Sequence, residues 1–553
     1  MNILSINYGV HDTSACILKD GEVSVYFKEE RLSRIKRDSD PVLSIVNCVK
    51  TFNEKIDYVL VIAYPNAKKY SKIITKLSNT AINNLVEFSY NHHLSHASLA
   101  FYNSGFKKSI VVVVDGQGSI FKDSLAECET VYLASYPNNF ECLIKNLSVN
   151  KEHSYFEVDE EFDKKIIPYK NYECNINENE GGISNVYNTA SILISQNIFE
   201  NGKPMGLSSY GSFNDYPKFF NNKSQPIWDL FTDKHSHERL FKTHKGKIIK
   251  ELTKENYKFY ADYAHEVQFQ TQEEVGNLIE KSIEKSECKN VCVVGGYGMN
   301  IVANHYYLQR FPDVEFYFEP NADDGGIPIG AAMLYYHALT KDKTIRPLKT
   351  TSFHGVAYDI SSYKEKTTSI NDIANLLNQN KSIAVYTGLA ETGQRALGNR
   401  SILFNALNPD AKDLVNKIKN REWYRPFACM VLEEDANTYF DMGRIKSSPF
   451  MTICFPVKPE YVKIIPGVTH IDNTCRVQTV SQTDGYLYEL LQEFKKLSGH
   501  GILLNTSFNL AGEPLVETPE DAFDTLNNSC LDYLWFEETQ QLFKNKKKTI
   551  LYK

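Results

Sequence analysis

The chain has no C-x-x-C pair. Its 11 cysteines are scattered among 553 residues, and the closest two, Cys288 and Cys292, lie on a likely helix-to-strand connection. That leaves no zinc-finger spacing and no disulfide framework, and it points to reduced thiols. No apolar run approaches the ~20 residues that span a bilayer. The opening run is broken by His11 and Asp12 and lacks a basic leader, so neither a signal peptide nor a membrane partner is expected. A cytoplasmic location is the expectation. Positive charge is not in excess: 61 Lys and Arg face 68 Asp and Glu, a net charge of -7 that argues against a general nucleic-acid binder. The basic run Lys544–Lys548 reads as a solvated tail. No internal repeat stands out.

With 42% hydrophobic and 23% charged residues, the composition is that of a soluble globular protein. Its length exceeds what one hydrophobic core supports, so two or more domains are expected. Residues 341–353, KDKTIRPLKTTSF, are charged and poor in apolar side chains. They read as a linker, which divides the chain into domains 1–345 and 346–553.

The stretch Asn91–Ser119, NHHLSHASLAFYNSGFKKSIVVVVDGQGS, organises the rest. His92 and His96 are four apart, so on a helix they project from one face and can share a metal. The strand Ile110–Val114 runs directly into Asp115, and a carboxylate ending a buried strand needs a partner. Taken alone, the pair is as easily a helix start with incidental imidazoles.

Residues 2–8 read as a buried strand, followed by the polar turn Gly9–Ser14 and strands at Ala15–Leu18 and Val23–Phe27. The charged cluster Glu29–Asp38 reads as a solvated helix start. Residues 133–180, rich in Asn, Glu and Lys, are expected to form an excursion or lid. After the strand Val291–Val294 comes GGYGMN. Glycines between a strand and a helix let backbone approach a nucleotide closely, which makes Gly295 and Gly296 candidates; a tight turn without ligand is the plain alternative. Beyond residue 345, a helix is expected at Ile370–Asn378 and strands at Ser382–Tyr386 and Tyr533–Phe536. Lys417, Lys419, Arg421 and Arg425 then lie within nine residues.

Eleven stretches occur in one order along nearly the whole chain: HDTSACIL, EERLSRIKRD, NHHLSHASLAF, VVVVDGQGS, GKPMGLSSYG, GGYGMNIVAN, DDGGIPIGAA, GQRALGNRSIL, REWYRPFACMVLEEDA, THIDNTCRVQTV and LLNTSFNLAGEPLVETPEDA. Together they resemble the NodU/CmcH/TobZ family of O-carbamoyltransferases. The resemblance implies an α/β chain with an N-terminal actin-like (ASKHA) metal-binding domain and a C-terminal YrdC-like α/β domain. It further implies that carbamoyl phosphate and ATP, the latter with Mg2+, give carbamoyl-adenylate and pyrophosphate. The carbamoyl group then passes to a hydroxyl of a small-molecule acceptor. A tRNA threonylcarbamoyl system, or an actin-like ATPase acting as a regulatory ligand sensor, are the alternatives. The first is disfavoured by the lack of basic charge.

On that resemblance the metal set is His92, His96, Asp115 and Asp324, with Asp323 competing for the fourth place and His93 pointing off the shared face. Two imidazoles and two carboxylates suit iron(II) or zinc, and the resemblance favours iron. His11 is the expected general base toward the acceptor hydroxyl, Asp12 either orients it or carries a bound metal's water, and Lys36 is a cation near phosphates or the carbamoyl oxygen. Gly295, Gly296 and Asn300 are expected at a nucleotide. Arg395, Lys419, Arg425, Arg476 and Asn505 form the expected adenylate-forming set, since apposing carbamoyl phosphate and ATP needs several cations. Arg400 and Arg421 are close competitors, with ion pairs to Glu422, Glu433 or Glu434 as their plain reading. Gln394, Tyr297 and Gly298 depart from the family's pattern. The acceptor's identity is open, and so is the oligomeric state, a homodimer being one option. Residues 133–180 and 212–262 are expected to shape the acceptor pocket.

Overall fold

The computed structural model describes residues 1–9, 11–63, 75–76, 84–89, 91–121, 125–149, 172–177, 181–213, 216–227, 252–346 and 352–547. Its contacts fall into two compact units. The first comprises Met1–Asn7, Leu18–Glu22 and Lys55–Leu348; the second comprises Tyr8–Ile17, Val23–Glu54 and Lys349–Lys553. Both are α/β, as the resemblance implies.

The chain opens with β1 (Asn2–Tyr8), β2 (Ser14–Lys19) and β3 (Glu22–Lys28), the last two joined through Asp20 and Gly21. In the first unit β1 is followed in sheet order by β4 (Tyr58–Ala63) and β5 (Leu85–Glu87), with Val59 opposite Leu85. A second sheet holds β6 (Lys108–Val114), β7 (Ile120–Phe121), β8 (Leu125–Ser135), β9 (Asn139–Val149), β10 (Glu173–Asn177), β11 (Asn290–Val294) and β12 (Glu315–Phe318). Its order is β10-β9-β8-β6-β11-β12, with β7 on β8. β6, β11 and β12 run parallel. The unbroken apolar runs IVVVV and VCVV are what strands buried on both faces require.

The helix His92–Ser104 is buried from His93 through Asn103 and packs on the helix Ile327–Thr340. The approach is backbone to backbone. A Cβ on Gly330 would sit 1.9 Å from the Ser95 carbonyl, so only glycine permits it.

Two expectations are corrected. Within 133–180 the described part is sheet, not lid: β9 and β10 extend the second sheet, and Phe140, Ile144 and Leu147 of β9 are buried. From Asn139 to Ile144 buried and more exposed residues alternate, as in a half-buried strand; beyond it Lys145 and Ser148 are buried as well, Lys145 paired with Glu127 at 2.6 Å. Residues 150–171 and 178–180 lie outside the described residues, as do 228–251 of the second pocket-shaping stretch and 347–351 of the linker. The second correction concerns Glu29 and Arg31, which are buried. The Glu29 carboxylate accepts the N–H groups of Leu43 (2.9 Å) and Ser44 (2.6 Å), so the cluster opens a packed element and not a solvated helix.

The second unit's sheet contains β13 (Lys366–Thr367), β14 (Ile383–Tyr386), β15 (Arg400–Asn405), β16 (Ala428–Leu432), β17 (Cys454–Pro456), β18 (Thr474–Val480), β19 (Ile502–Ser507), β20 (Tyr533–Phe536) and β21 (Gln541–Lys544). The order is β13-β21-β20-β14-β15-β19-β16-β18-β17. One face packs through Leu403, Met430 and Leu503 with Phe494 and Leu377, from helices Tyr486–Ser498 and Ile370–Asn378. The other buries Ala384, Ile402 and Leu534 with Ala522 and Leu526 of helix Pro519–Asn527. Capping boxes, Ser369 with Asp372 and Thr518 with Asp521, fix where two of these helices begin.

Candidate functional site

In the first unit, one nitrogen each from His92 and His96 and one oxygen each from Asp115 and Asp324 all lie within 4.8 Å of one another. The helix His92–Ser104 supplies both imidazoles one turn apart, the end of β6 supplies Asp115, and the short turn before helix Ile327–Thr340 supplies Asp324. His92 Nε2 is 3.1 Å from Asp115 Oδ2 and 3.5 Å from Asp324 Oδ1; His96 Nε2 is 3.8 and 3.4 Å from the same atoms. Two ligands each about 2.1 Å from an ion stand about 3.0 Å apart at a right angle and about 3.4 Å at the tetrahedral angle. The donor set therefore has the spacing a divalent ion needs.

His96 supplies a second test. It is fully buried, and neither of its ring nitrogens has a hydrogen-bond partner among the described residues. An orphaned buried imidazole costs free energy unless something coordinates it. At His92, burial alone would favour the neutral ring, but the Asp324 and Asp115 carboxylates outweigh it and hold the imidazole well above its ordinary range. At Asp115, burial and Asp324 push upward, while His92 and His96 prevail and keep the carboxyl low. The residues fit a metal.

The surrounding residues aim these ligands. Gly296 N–H donates to Asp115 Oδ1 at 3.0 Å. Gly295, at φ +88°, lies so close that a Cβ would meet the Val114 carbonyl at 2.4 Å. The Asn300 oxygen caps helix Ile301–Arg310 through Val302 and Ala303, and its amide donates to Gln268 (3.0 Å). In this structure the two glycines and Asn300 thus serve the turn and Asp115. Tyr297, which departs from the family's pattern, is a core residue bonded to Thr271 (2.8 Å). Asp323 accepts from Gly325 N–H and stands outside the four-donor group. His93 turns away, with Nδ1 2.8 Å from Thr130 Oγ1, and burial lowers it to about 4.

His11, Asp12 and Lys36 belong to the second unit. His11 Nδ1 is 2.9 Å from Asp12 Oδ2, and the other Asp12 oxygen is 3.0 Å from Lys28 Nζ. Burial pushes Asp12 up, but Lys28 and His11 together hold it far below the carboxylate range. Lys28 has no signal in the sequence beyond following the apolar Val25, Tyr26 and Phe27 at the end of its strand.

The remaining candidates also lie in this unit. Strand register places Leu403, Asn505, Ala428, Arg476 and Cys454 in one row across the sheet. Asn505 and Arg476 thus flank the small Ala428, two strand spacings or about 10 Å apart. Asn505 is fully buried; its amide donates to the Ala396 carbonyl (3.2 Å) and to Gln478 (2.8 Å), and its Oδ1 has no partner among the described residues. Arg395, half-buried, sits in the loop that covers this row. Glu391 shapes that loop by accepting the N–H groups of Leu397, Asn399 and Arg400 at 2.8–3.1 Å. Arg31 grips it from outside, donating to the carbonyls of Glu391 and Gly393. Sequence reasoning missed Arg31 and Gln478, whose partners lie 360 and 27 residues away, and Glu391, whose nearby partners are backbone N–H groups that leave no side-chain signal.

Arg425 is half-buried beside Glu422 at 3.5 Å. Lys419 is buried and spends its protons on the carbonyls of Ser507 and Asn509 and on the Asn509 side chain, fixing the end of β19. Burial, then Arg421, Arg425 and Lys36, push it well below the usual lysine range. Burial, Arg425 and Arg476 do the same to Arg421, which bonds Asn416 and the Pro426 carbonyl and lies over Phe427. Burial brings Arg476 down to about 10. Arg400 is structural: it stacks on Tyr386 at 3.7 Å and donates to the carbonyls of Thr387, Gly388 and Asn399.

Comparison with known proteins bears on both units. Residues 63–333 match the family model for the carbamoyltransferase N-terminus, and residues 374–542 match that for the carbamoyltransferase C-terminus. The chain belongs to the carbamoyltransferase family. Nodulation protein NolNO of Sinorhizobium fredii is 27% identical over 579 residues, covering 96% of this carbamoyltransferase and 78% of the relative. Nodulation protein U of Rhizobium tropici is 34% identical over 252 residues, 45% of this chain and 42% of that one. An uncharacterised Synechocystis protein, sll1178, is 28% identical across 97% of this chain and 96% of its own. Among solved structures, HypF of T. kodakarensis aligns at a TM-score of 0.40 and 11% identity, over 62% of the carbamoyltransferase and about half (49%) of HypF. The activator of 2-hydroxyisocaproyl-CoA dehydratase from Clostridium difficile aligns at 0.33 and 14% identity, over 63% of this chain and 100% of the activator.

Proposed function

We propose that this carbamoyltransferase is an ATP-dependent O-carbamoyltransferase, its N-terminal domain actin-like (1–345) and its C-terminal domain YrdC-like (346–553). Carbamoyl phosphate loses its phosphate to water, and an oxygen of the resulting carbamate displaces pyrophosphate from ATP. This gives carbamoyl-adenylate. A hydroxyl of a small-molecule acceptor then attacks the carbamoyl carbon and expels AMP, its proton passing to His11. The observation that supports this reading best is the company Lys419 keeps. Lys36, Arg421 and Arg425 stand close enough to depress it, and Arg476 and Arg425 depress Arg421. Proteins gather like charges against their repulsion where an anionic ligand will neutralise them. Nucleotide and carbamoyl phosphate together supply that charge.

Arg395, Arg425 and Arg476 are the phosphate-facing cations in this reading, and Lys419 holds the β19 turn they work against. The Asn505 Oδ1, without a partner among the described residues, suits a donor such as the carbamoyl amide. Fe(II), with Zn as the alternative, is the proposed metal of His92, His96, Asp115 and Asp324, where it would supply a Lewis acid. Mg2+ accompanies ATP. No nucleic acid or membrane partner is proposed, and the expected location is the cytoplasm.

The test is pyrophosphate release from ATP with and without carbamoyl phosphate, no acceptor present. Release that depends on carbamoyl phosphate is expected in the wild type, falling roughly 10²-fold in Arg425→Ala, as loss of a charge-assisted phosphate contact implies. Release without carbamoyl phosphate, or no release at all from metal-replete protein, would refute the adenylate step.

A further inference from the structure

We infer that Lys28 is a positioning residue for transfer, the third member of a Lys28–Asp12–His11 relay that sets the proton affinity of His11. The inference rests on the proposed role of His11 as base. Lys28 is the last residue of β3, and its side chain is 1% exposed. A buried ammonium is retained only where a partner offsets its desolvation. That partner is Asp12 Oδ1 at 3.0 Å, with Glu30 farther off at 3.9 Å. Glu30 is itself tied to the Arg37 N–H (2.9 Å). Asp12, also buried, is held at φ +53°, a left-handed conformation that few non-glycine residues adopt. This conformation brings its second oxygen within 2.9 Å of the Nδ1 of the preceding residue, His11.

The chemistry follows from this order. Asp12 kept ionised by Lys28 accepts the Nδ1–H of His11, fixing the tautomer and directing basicity to Nε2. The Lys28 charge then acts on His11 in the opposite sense to Asp12. Alone, an ionised Asp12 would raise the proton affinity of the ring. With Lys28 beside it, the carboxylate orients the ring without capturing its proton. Lys28 touches no reacting atom in this scheme.

The experiment follows the His11 ring directly, by NMR titration of full-length protein carrying 13C-labelled histidine, with His11→Gln assigning the signal. In Lys28→Met the His11 midpoint should rise by roughly one pH unit, the usual size of losing one charge at this range. Lys28→Arg, which keeps the charge, should stay near wild type. Asp12→Asn should move the midpoint down, and it decides the matter if Lys28→Met does not fold. An unmoved midpoint in Lys28→Met, or in Asp12→Asn, overturns the relay whatever the transfer rate. The base reading fails separately, if His11→Gln carbamoylates glycerol as fast as wild type from carbamoyl phosphate and ATP.

Discussion

Where β6 ends, two imidazoles and two carboxylates face one another, and the carboxylates favour the protonated form of His92 before any ligand arrives. In the C-terminal unit, Lys36 and Arg425 stand among Lys419, Arg421 and Arg476, and burial together with these like charges weakens the hold of Lys419, Arg421 and Arg476 on their protons. The first arrangement is held together by what it lacks least, complementary charge, and needs an ion mainly to satisfy His96. The second is under electrostatic stress until an anion binds. A donor cluster of that kind is preformed for a cation, and a cation cluster of this kind gains stability only with its substrate.

The largest break in this comparison comes from removing a ligand. His96→Ala should reduce bound metal from about one per chain to below roughly a tenth of that, read by elemental analysis. Carbamoyl transfer should fall with it, while Arg425→Ala keeps its full metal content. Metal loss in Arg425→Ala would mean that the two sites are not separable in this way. Next in size is the roughly 10²-fold loss of pyrophosphate release in Arg425→Ala itself, which His96→Ala should largely spare.

Acidity offers a third handle. The carboxylates raise the folded-state proton affinity of His92 above that of the unfolded chain. In metal-free protein, the stability this contributes is present below the unfolded histidine pKa of about 6.5 and is lost as pH rises through the folded value. Metal binding displaces that proton and so strengthens with pH. The difference in Tm between metal-loaded and chelator-treated protein should therefore widen steadily from pH 6 to pH 9. A difference that is flat or shrinks over that range would remove His92 from the metal's ligands.

Fourth, Gly330→Ala places a methyl against the Ser95 carbonyl and Leu99, forcing apart the two helices that carry His92, His96 and the Asp324 turn. Overpacking of this kind costs about 1–3 kcal/mol. A lower Tm with weakened metal retention is expected. A drop in Tm with metal affinity unchanged would show that the ligands tolerate the helix shift.

The two regions also differ in how far the sequence disclosed them. His92 and His96 are four residues apart on a helix, and Asp115 follows a run of valines, so local spacing admitted a metal but equally a helix start with incidental imidazoles. Asp324 needed the family motif, and the structure brings it within reach of the other three. In the C-terminal unit the sequence offered four basic residues and Asn505, with Arg400 and Arg421 as close competitors. Only the fold distinguishes Arg400, spent on backbone carbonyls and Tyr386, from Arg425, whose side chain meets Glu422 loosely among the described residues. Long-range pairs carried no local mark. Arg31 lies 360 residues from the Glu391 carbonyl it binds, and the buried Glu29 looked like surface charge for the same reason. In β9, alternation was present in FECLIKNLSV, but the polar composition around it suggested a lid.

The smallest effect is the sharpest test of what Arg425 is for. Its ion pair with Glu422 spans 3.5 Å between side chains that are 23% and 31% exposed. Pairs of that kind contribute about 0–1 kcal/mol. If the pair were the purpose of Arg425, Glu422→Gln would damage the site as Arg425→Ala does. If Arg425 instead serves a phosphate, Glu422 is a competitor for the same guanidinium, and removing its charge frees the arginine. Glu422→Gln should then leave the maximal rate of pyrophosphate release within about three-fold of wild type and lower, not raise, the KM for carbamoyl phosphate. A KM that rises together with a collapse in rate would assign Arg425 to the ion pair and leave the anion to Arg395 and Arg476.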